Sequence, residues 1–182
     1  MSQSSAFTLE HNGIARVLRT EVSVGEAFDV HIQQPPASLT KYYAIWDTGA
    51  TSTAITKKVA HECGLVPTGQ CQLGTAGNTI ENANTYIVSV LLPNGFGIPS
   101  LTVIEVSDIK DADILIGMDI ITFGDFVITN KDRKTVLTFR SPSLERFDFV
   151  KNIPAPLSVG KVERPCPHSN KKYLKCAKKA HP

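Results

Sequence analysis

The chain has 182 residues, 42% of them hydrophobic, and a formal net charge of +2. This length and composition suffice for one sizeable hydrophobic core. No apolar run reaches the length of a membrane span, and Met1–Glu10 lacks the basic start and apolar stretch of a signal peptide. These features exclude a helical membrane protein, and we expect a soluble cytoplasmic protein with no membrane partner.

Short apolar stretches separated by turn signals predict an all-β fold, a small closed β-barrel with one or two short helices. The turn signals at Gln34-Pro35-Pro36, Pro93-Asn94-Gly95 and Asn130-Lys131-Asp132 favour antiparallel hairpins over crossover helices. The predicted strands are Ile14–Leu18, Phe28–Ile32, Tyr42–Trp46, Thr85–Leu92, Ile98–Val106, Phe126–Thr129 and Thr135–Phe139.

The third of these strands runs directly into Asp47-Thr48-Gly49, followed by hydroxyl residues from Thr51 to Thr53. Gly49 permits a sharp turn and a close approach to neighbouring backbone, and the Thr48 hydroxyl can fix that turn by hydrogen bonding. The turn is therefore expected to fix the orientation of the Asp47 carboxylate. We interpret Asp47 as a catalytic acid, with Thr48 and Gly49 completing the catalytic turn.

Three further elements follow this turn. A short helix is predicted from Lys57 to Cys63, with Thr56 as its N-cap and Gly64 as its stop. A hairpin tip rich in small residues follows at Leu73–Thr79, and it contains Gly74, Thr75, Ala76 and Gly77. A second apolar strand at Ile114–Ile116 ends in Gly117, and a second short helix starts near Met118, where Asp119 is expected to act as a structural cap.

Asp47-Thr48-Gly49 and Ile114-Leu115-Ile116-Gly117, in this order and with this spacing, resemble the retropepsins, the retroviral-type aspartic proteases. The resemblance implies an aspartic endopeptidase of small-barrel fold, with no cofactor for catalysis. It also implies that the Gly74–Gly77 tip is a flap that closes over an extended polypeptide substrate and binds its backbone.

Aspartic proteases activate water between two carboxylates about 3 Å apart, which share a proton and titrate as a coupled pair. Only one Asp-Thr-Gly occurs here and no internal repeat is visible. The second carboxylate must come from another chain, so the sequence predicts a homodimer in which each subunit donates Asp47 and, by resemblance, an interchain Thr48 hydrogen bond.

Two positions depart from the retroviral pattern. Retroviral members typically carry a carboxylate two positions after the first glycine, paired with an arginine after the second, and here these positions are Thr51 and Met118. Loss of both partners together leaves no stranded charge, which favours a different interface over an inactive one. The Gly-Met-Asp sequence resembles the non-viral retropepsin-like proteins of cells more than viral ones.

Other interpretations stay open at this point. A bare Asp-Thr-Gly is a common turn tripeptide, and the glycine-rich tip is also typical of an ordinary surface hairpin. The rival function is a non-catalytic dimeric peptide-binding or adaptor module. Such a module would hold a peptide between the barrel and the flap and would be recruited through its C-terminal tail.

The composition changes after the last predicted strand. We assign residues 1–140 to the protease domain, 141–163 to a proline-containing linker and 164–182 to a basic tail. From Lys161 onward the formal charge is +6, against −4 for the preceding residues. A mildly acidic domain therefore carries a basic tail, whose candidate partners are an acidic protein, a ribosome or a nucleic acid.

The tail resembles the SEC-C zinc motif in the run from Pro165 to Cys176, although the match is partial. Four residues can supply a closed tetrahedral site for a structural zinc ion, Cys166, His168, Cys176 and His181. The alternative is a disordered basic extension with incidental Cys and His. The two remaining cysteines, Cys63 and Cys71, are interpreted as isolated thiols, so no disulfide framework is implied.

Overall fold

A computed structural model describes residues 5–31, 39–74 and 80–151 of the chain. The chain divides into two units after Glu145. The first contains strands β1 Ser5–Glu10, β2 Arg19–Glu26, β3 Thr40–Trp46, β4 Ala54–Thr56, β5 Gly69–Gly74, β6 Ile80–Leu91, β7 Gly97–Val106, β8 Ile114–Ile116, β9 Asp125–Thr129 and β10 Val136–Ser141, helices α1 Lys57–Glu62 and α2 Met118–Ile121, and a 3-10 turn at Lys131–Arg133. In the second unit, Asp148 accepts hydrogen bonds from the backbone N–H groups of Val150 and Lys151.

Six strands form a closed barrel, because the pairing order β2-β3-β8-β4-β7-β6 is completed by pairing of β6 with β2. β5 extends this sheet from β6 as a hairpin, and β1, β10 and β9 form a separate three-stranded sheet. The all-β prediction with a closed barrel and few short helices is confirmed.

Alternation of buried and exposed side chains explains why these segments form strands. In β3 the buried positions are Tyr42, Ala44 and Trp46, and in β10 they include Leu137 and Phe139. The inward faces of the barrel strands and the buried face of β10, which belongs to the separate sheet, contribute to one hydrophobic cluster. The pattern of period two therefore sets which face of each strand looks inward.

Two predicted strands are wrong. Residues 14–18 form an irregular loop in which Ile14 and Val17 are 55% and 49% exposed, and residues 28–31 contain a turn, while Ile32 lies outside the described residues. The strand between them, β2, was missed because one of its buried positions is the polar Thr20. Its hydroxyl accepts a hydrogen bond from Trp46 Nε1 at 2.9 Å, which removes the cost of burying it.

The predicted turns at Pro93-Asn94-Gly95 and Asn130-Lys131-Asp132 join the antiparallel hairpins β6–β7 and β9–β10, but the barrel also contains parallel pairs that were not predicted from the sequence. β3 pairs with β8 in parallel, and β4 pairs with β7 in parallel. The other strand pairs of the described residues are antiparallel. Parallel neighbours are joined through long intervening segments, so local turn signals carry no information about them. The parallel β3–β8 pair places the ends of two strands at the same edge of the barrel.

Helix α1 ends at Glu62, one residue before its predicted end at Cys63. Gly64 comes directly after the C-cap Cys63 and has a φ of +62°. The predicted cap is corrected in detail, because Thr56 occupies the N-cap position but its side chain makes no capping hydrogen bond. Within the described ranges, neither helix is long and apolar enough to cross a membrane.

Asp125 fixes the chain where it leaves β10. Its carboxylate accepts hydrogen bonds from the Ser143 hydroxyl, from the backbone N–H of Leu144 at 3.0 Å and from Arg140 Nε at 3.0 Å, and it forms an ion pair with the same guanidinium. These donors, led by Ser143, hold the pKa of Asp125 well below its ordinary value. The segment after β10 is therefore fastened to β9.

This arrangement predicts a pH-dependent contribution to stability. A depressed carboxylate pKa stabilises the fold above the ordinary value of about 4, and the contribution is lost as pH falls below it. We expect Asp125→Asn to lower the free energy of unfolding at pH 7, and the difference from the unchanged protein to shrink towards pH 2.5. Urea denaturation at several pH values measures this difference.

The matched control is Glu21→Gln, which removes the ion pair between Glu21 and Lys41 at 2.7 Å, in which both side chains are exposed. Exposed pairs of this kind contribute little, so this variant is expected to stay close to the unchanged protein at pH 7. An equal loss in both variants at pH 7 would contradict the role given to Asp125.

Candidate active site

Asp47 stands at the edge of the barrel where β3 and β8 end side by side. Its backbone N–H donates to the carbonyl of Ile116 at 2.9 Å, and the N–H of Trp46 donates to the carbonyl of Leu18 at 3.0 Å. The backbone entering the turn is thus held from both sides by neighbouring chain. Asp47 itself is partly exposed, as a carboxylate that meets a substrate must be.

The turn after β3 is closed by the aspartate itself. Asp47 Oδ1 accepts a hydrogen bond from the N–H of Gly49 at 2.8 Å, and the Asp47 carbonyl accepts one from the N–H of Ala50 at 3.3 Å. A Cβ atom at position 49 would lie 3.2 Å from Oδ1, which is a tight contact. Glycine at this position lets the carboxylate fold back onto the turn, and the orientation of Asp47 is set by the backbone.

The far side of the turn is bound to the segment that follows β8. The N–H of Met118 donates to the carbonyl of Ala50 at 2.8 Å, and the N–H of Asp119 donates to the carbonyl of Thr51 at 3.3 Å. The positions that lack the retroviral carboxylate and arginine, Thr51 and Met118, therefore take part in backbone contacts within one chain.

Thr53 lies at the centre of this contact and is 1% exposed. Its hydroxyl accepts a hydrogen bond from the N–H of Gly117 at 3.2 Å and donates one to Asp119 Oδ1 at 2.7 Å. The backbone N–H of Thr53 donates to Asp119 Oδ2 at 2.7 Å. One carboxylate thus holds both the backbone and the side chain of Thr53.

The expected role of Asp119 changes accordingly. The N-cap of α2 is Gly117, and Asp119 lies inside the helix, where Oδ1 also accepts the N–H of Ile120 at 2.9 Å. Its contacts are structural, as expected, but two of its three hydrogen bonds come from Thr53, which lies 66 residues away in the sequence. Thr53 was noted in the sequence only as one of several hydroxyl residues and was given no role, and the signal available was its position immediately before a short buried strand.

Gly117 is required by the closeness of the two segments. A Cβ atom there would lie 2.6 Å from the carbonyl carbon of Ser52 and 2.7 Å from its oxygen, distances that real Cβ atoms essentially never show. The φ of Gly117 is −93°, so the requirement is one of space and not of backbone conformation. Glycine after β8 therefore allows the turn of Asp47 to pack directly on it.

Aromatic side chains support the strand that presents Asp47. The ring of Trp46, the only tryptophan in the chain, stacks on Phe126 with centroids 5.4 Å apart and meets Phe139 at 5.3 Å and Phe7 at 6.0 Å. These three phenylalanines belong to the separate three-stranded sheet. That sheet is thus packed directly behind the candidate catalytic residue.

The hairpin predicted as a flap is present in its strands. β5 and β6 pair from Gly69↔Thr85 to Gly74↔Ile80. Gly74 closes the described part of the ladder, whereas Thr75, Ala76 and Gly77 lie outside the described residues. The predicted zinc ligands Cys166, His168, Cys176 and His181 lie outside them as well, as does the whole basic tail.

Comparison with known proteins places this site in context. Residues 39–122 match the family model described as "gag-polyprotein putative aspartyl protease". The match covers just under half of the chain and includes the Asp47 turn, the β5–β6 hairpin and Gly117. No curated protein matches the chain. The matched segment supports an aspartic-protease-like domain.

The solved structures that are similar to the chain include the following two. A retropepsin-like aspartic protease from Rickettsia conorii is 17% identical, with a TM-score of 0.47, over 78% of this chain and 98% of that one. The retroviral protease-like domain of Ddi1 from Leishmania major is 21% identical, with a TM-score of 0.34, over 65% of this chain and 91% of that one.

Proposed function

We propose that the protein is an aspartic endopeptidase of retropepsin-like fold that acts as a homodimer. The observation that carries the proposal is the Asp47 turn, in which a partly exposed carboxylate is held by the N–H of Gly49 while its backbone is fixed on Ile116. A carboxylate oriented by backbone N–H groups does not need to reorganise during the reaction. The match to an aspartyl protease model over the same residues supports this assignment.

The chemistry requires a second carboxylate, and the chain supplies one Asp-Thr-Gly. Two copies related by a two-fold axis bring two Asp47 carboxylates together, and like charges about 3 Å apart share one proton. The ionised Asp47 takes a proton from water, whose oxygen attacks the peptide carbonyl carbon, and the protonated Asp47 of the other copy donates to the carbonyl oxygen. The Asp47 that took the proton from water then donates it to the amide nitrogen, while the other Asp47 takes a proton back from the gem-diol hydroxyl, and the C–N bond breaks to give a carboxylic acid and an amine.

Substrate binding is assigned to the β5–β6 hairpin, with Gly74, Thr75, Ala76 and Gly77 at its tip. An extended peptide exposes backbone N–H and C=O groups on both sides, and a hairpin edge offers matching groups. Thr48 is assigned to a hydrogen bond between the two copies, where Thr51 and Met118 provide no ion pair. The dimer is therefore proposed to be held without the charge pair of retroviral enzymes.

The basic tail is proposed to bind a partner molecule and so to bring the enzyme to it. Cys166, His168, Cys176 and His181 form the proposed structural zinc site. Its lysine-rich surroundings favour an acidic protein, a ribosome or a nucleic acid as partner. Catalysis is assigned to the barrel alone, so no step of hydrolysis passes through the metal.

Cleavage of a peptide library by the purified protein between pH 3 and pH 8 tests the proposal. A proton-sharing pair predicts a bell-shaped dependence of kcat/KM on pH. A site shared between copies also predicts that specific activity falls on dilution in step with the dimer fraction measured by sedimentation. Absence of cleavage by a verified dimer, or activity unaffected by dissociation, would contradict it.

A further inference from the structure

We infer that Asp119 is a positioning residue for the Asp47 turn: acting through the buried hydroxyl and backbone of Thr53, it fixes that turn on Gly117 within a single subunit. The inference rests on the proposed function for its catalytic consequence. Its structural content rests on hydrogen bonds alone, which span 64 to 66 residues of sequence.

The Asp119 carboxylate suits this role because it accepts three hydrogen bonds, two from Thr53 and one from the N–H of Ile120. An ionised carboxylate is an acceptor at both oxygens, and hydrogen bonds to a charged group are roughly twice as strong as neutral ones. Since Thr53 is almost fully buried, water does not replace these partners when they are lost. The arrangement therefore depends on the charge and geometry of this one side chain.

The Thr53 hydroxyl links the carboxylate to the backbone of Gly117. It donates its proton to Asp119 Oδ1 and receives the N–H of Gly117, so one chain of hydrogen bonds runs from backbone to carboxylate. Such chains polarise each other and strengthen together. Gly117 in turn follows Ile116, the residue whose carbonyl accepts the N–H of Asp47. The contact at Thr53 and the contact at Asp47 are thus two ends of one clamp around the turn.

The clamp lies entirely within one chain and at the positions where the retroviral pattern has a charge pair. Thr51 and Met118 carry no opposite charges, and their backbones instead take part in the same interface as Thr53 and Asp119. A subunit can therefore order its Asp47 turn before it meets a second copy. This makes the geometry of each carboxylate independent of dimer strength.

Asp119→Asn is the main test. The amide keeps the shape of the side chain but presents N–H₂ in place of one oxygen, and both oxygens face donors of Thr53. Because a displacement of about 1 Å at a catalytic group costs on the order of 100-fold in rate, we expect kcat to fall by roughly that factor while KM stays within about twofold. Asp108→Asn, at an exposed position, makes the same charge change as a control and is expected to retain full activity.

Thr53 variants separate positioning from simple loss of stability. Thr53→Ser keeps the hydroxyl and is expected to retain most of kcat, whereas Thr53→Val keeps the volume, removes the hydroxyl and is expected to match Asp119→Asn. Combining Asp119→Asn with Thr53→Val should cost little more than either change alone, because both remove the same network. Fully additive effects, or equal activity of the Ser and Val variants, would overturn the inference.

Amide hydrogen exchange decides the question without reference to catalysis. In Asp119→Asn and Thr53→Val, the amides of Thr53, Gly117 and Met118 are expected to exchange at least about tenfold faster, while those of β10 stay unchanged. Unchanged exchange at these three amides overturns the inference, whatever the activity. If the unchanged dimer cleaves no peptide, the proposed function fails, and the exchange result alone decides whether Asp119 fixes the turn.

Discussion

Asp47→Asn is expected to lower kcat/KM by about 10³-fold or more while leaving the dimer and the fold intact. General acid–base catalysis by a positioned carboxylate contributes about 10² to 10⁴-fold, and here the same residue also supplies the pair that shares a proton. An amide cannot accept the proton of water. In the unchanged protein Asp47 Oδ1 accepts a hydrogen bond from the N–H of Gly49 at 2.8 Å. The amide oxygen of the asparagine can accept the same hydrogen bond, so the turn is kept.

Three measurements check this prediction: kcat/KM on the peptide preferred in the library, the urea unfolding midpoint, and the dimer fraction by sedimentation. The midpoint and the dimer fraction are expected to match those of the unchanged protein. Residual cleavage at a tenth of the original rate by a folded, dimeric Asp47→Asn would remove Asp47 from the catalytic role.

A mixing experiment with this variant tests whether the site is shared between subunits. When equal amounts of the two proteins exchange subunits at random, about one quarter of the dimers carry two Asp47 carboxylates. If the site needs both copies, the activity of the mixture is therefore expected to be about a quarter of that of the unchanged protein at the same total concentration. A value near one half would indicate that each subunit acts alone, and the homodimer mechanism would be wrong.

The local part of the fold was predictable because it depends on local pattern. β3, β7, β9 and β10 were predicted as apolar stretches at nearly their observed positions, and α1 was located by its stop at Gly64. β2 was not found, because a hydrogen bond to Trp46 makes Thr20 a suitable core residue, and that partner lies 26 residues away. The exposed Ile14 and Val17 produced the opposite error.

The candidate site shows the same limit. Asp47-Thr48-Gly49 and Gly117 were located by residue type and spacing, because a sharp turn and a close approach each require glycine. The function of Thr53 was not readable, since its partners are 64 and 66 residues away and the contact exists only once the strands before and after it are paired. Closure of the barrel by β2 and β6 is non-local in the same way.

Gly117→Ala is expected to destabilise the first unit by about 3 kcal/mol or more, at the upper end of what overpacking costs. The added methyl would lie 2.6 Å from the carbonyl carbon of Ser52, and this neighbour is backbone. Ser52 cannot easily move aside, because the next residue, Thr53, is fixed by three hydrogen bonds to Gly117 and Asp119. The clash must then be relieved by separating the Asp47 turn from β8.

Urea denaturation followed by the fluorescence of Trp46 measures this loss, since the only tryptophan immediately precedes Asp47. Gly97→Ala is the matched control, because its added Cβ would meet only Leu91 Cδ1 at an ordinary 3.8 Å. We expect the free energy of unfolding of Gly97→Ala to stay within about 1 kcal/mol of that of the unchanged protein. Equal stability of the two variants would mean that the turn does not pack closely on Gly117. The orientation of Asp47 would then need a source other than the clamp formed by Thr53, Gly117 and Asp119.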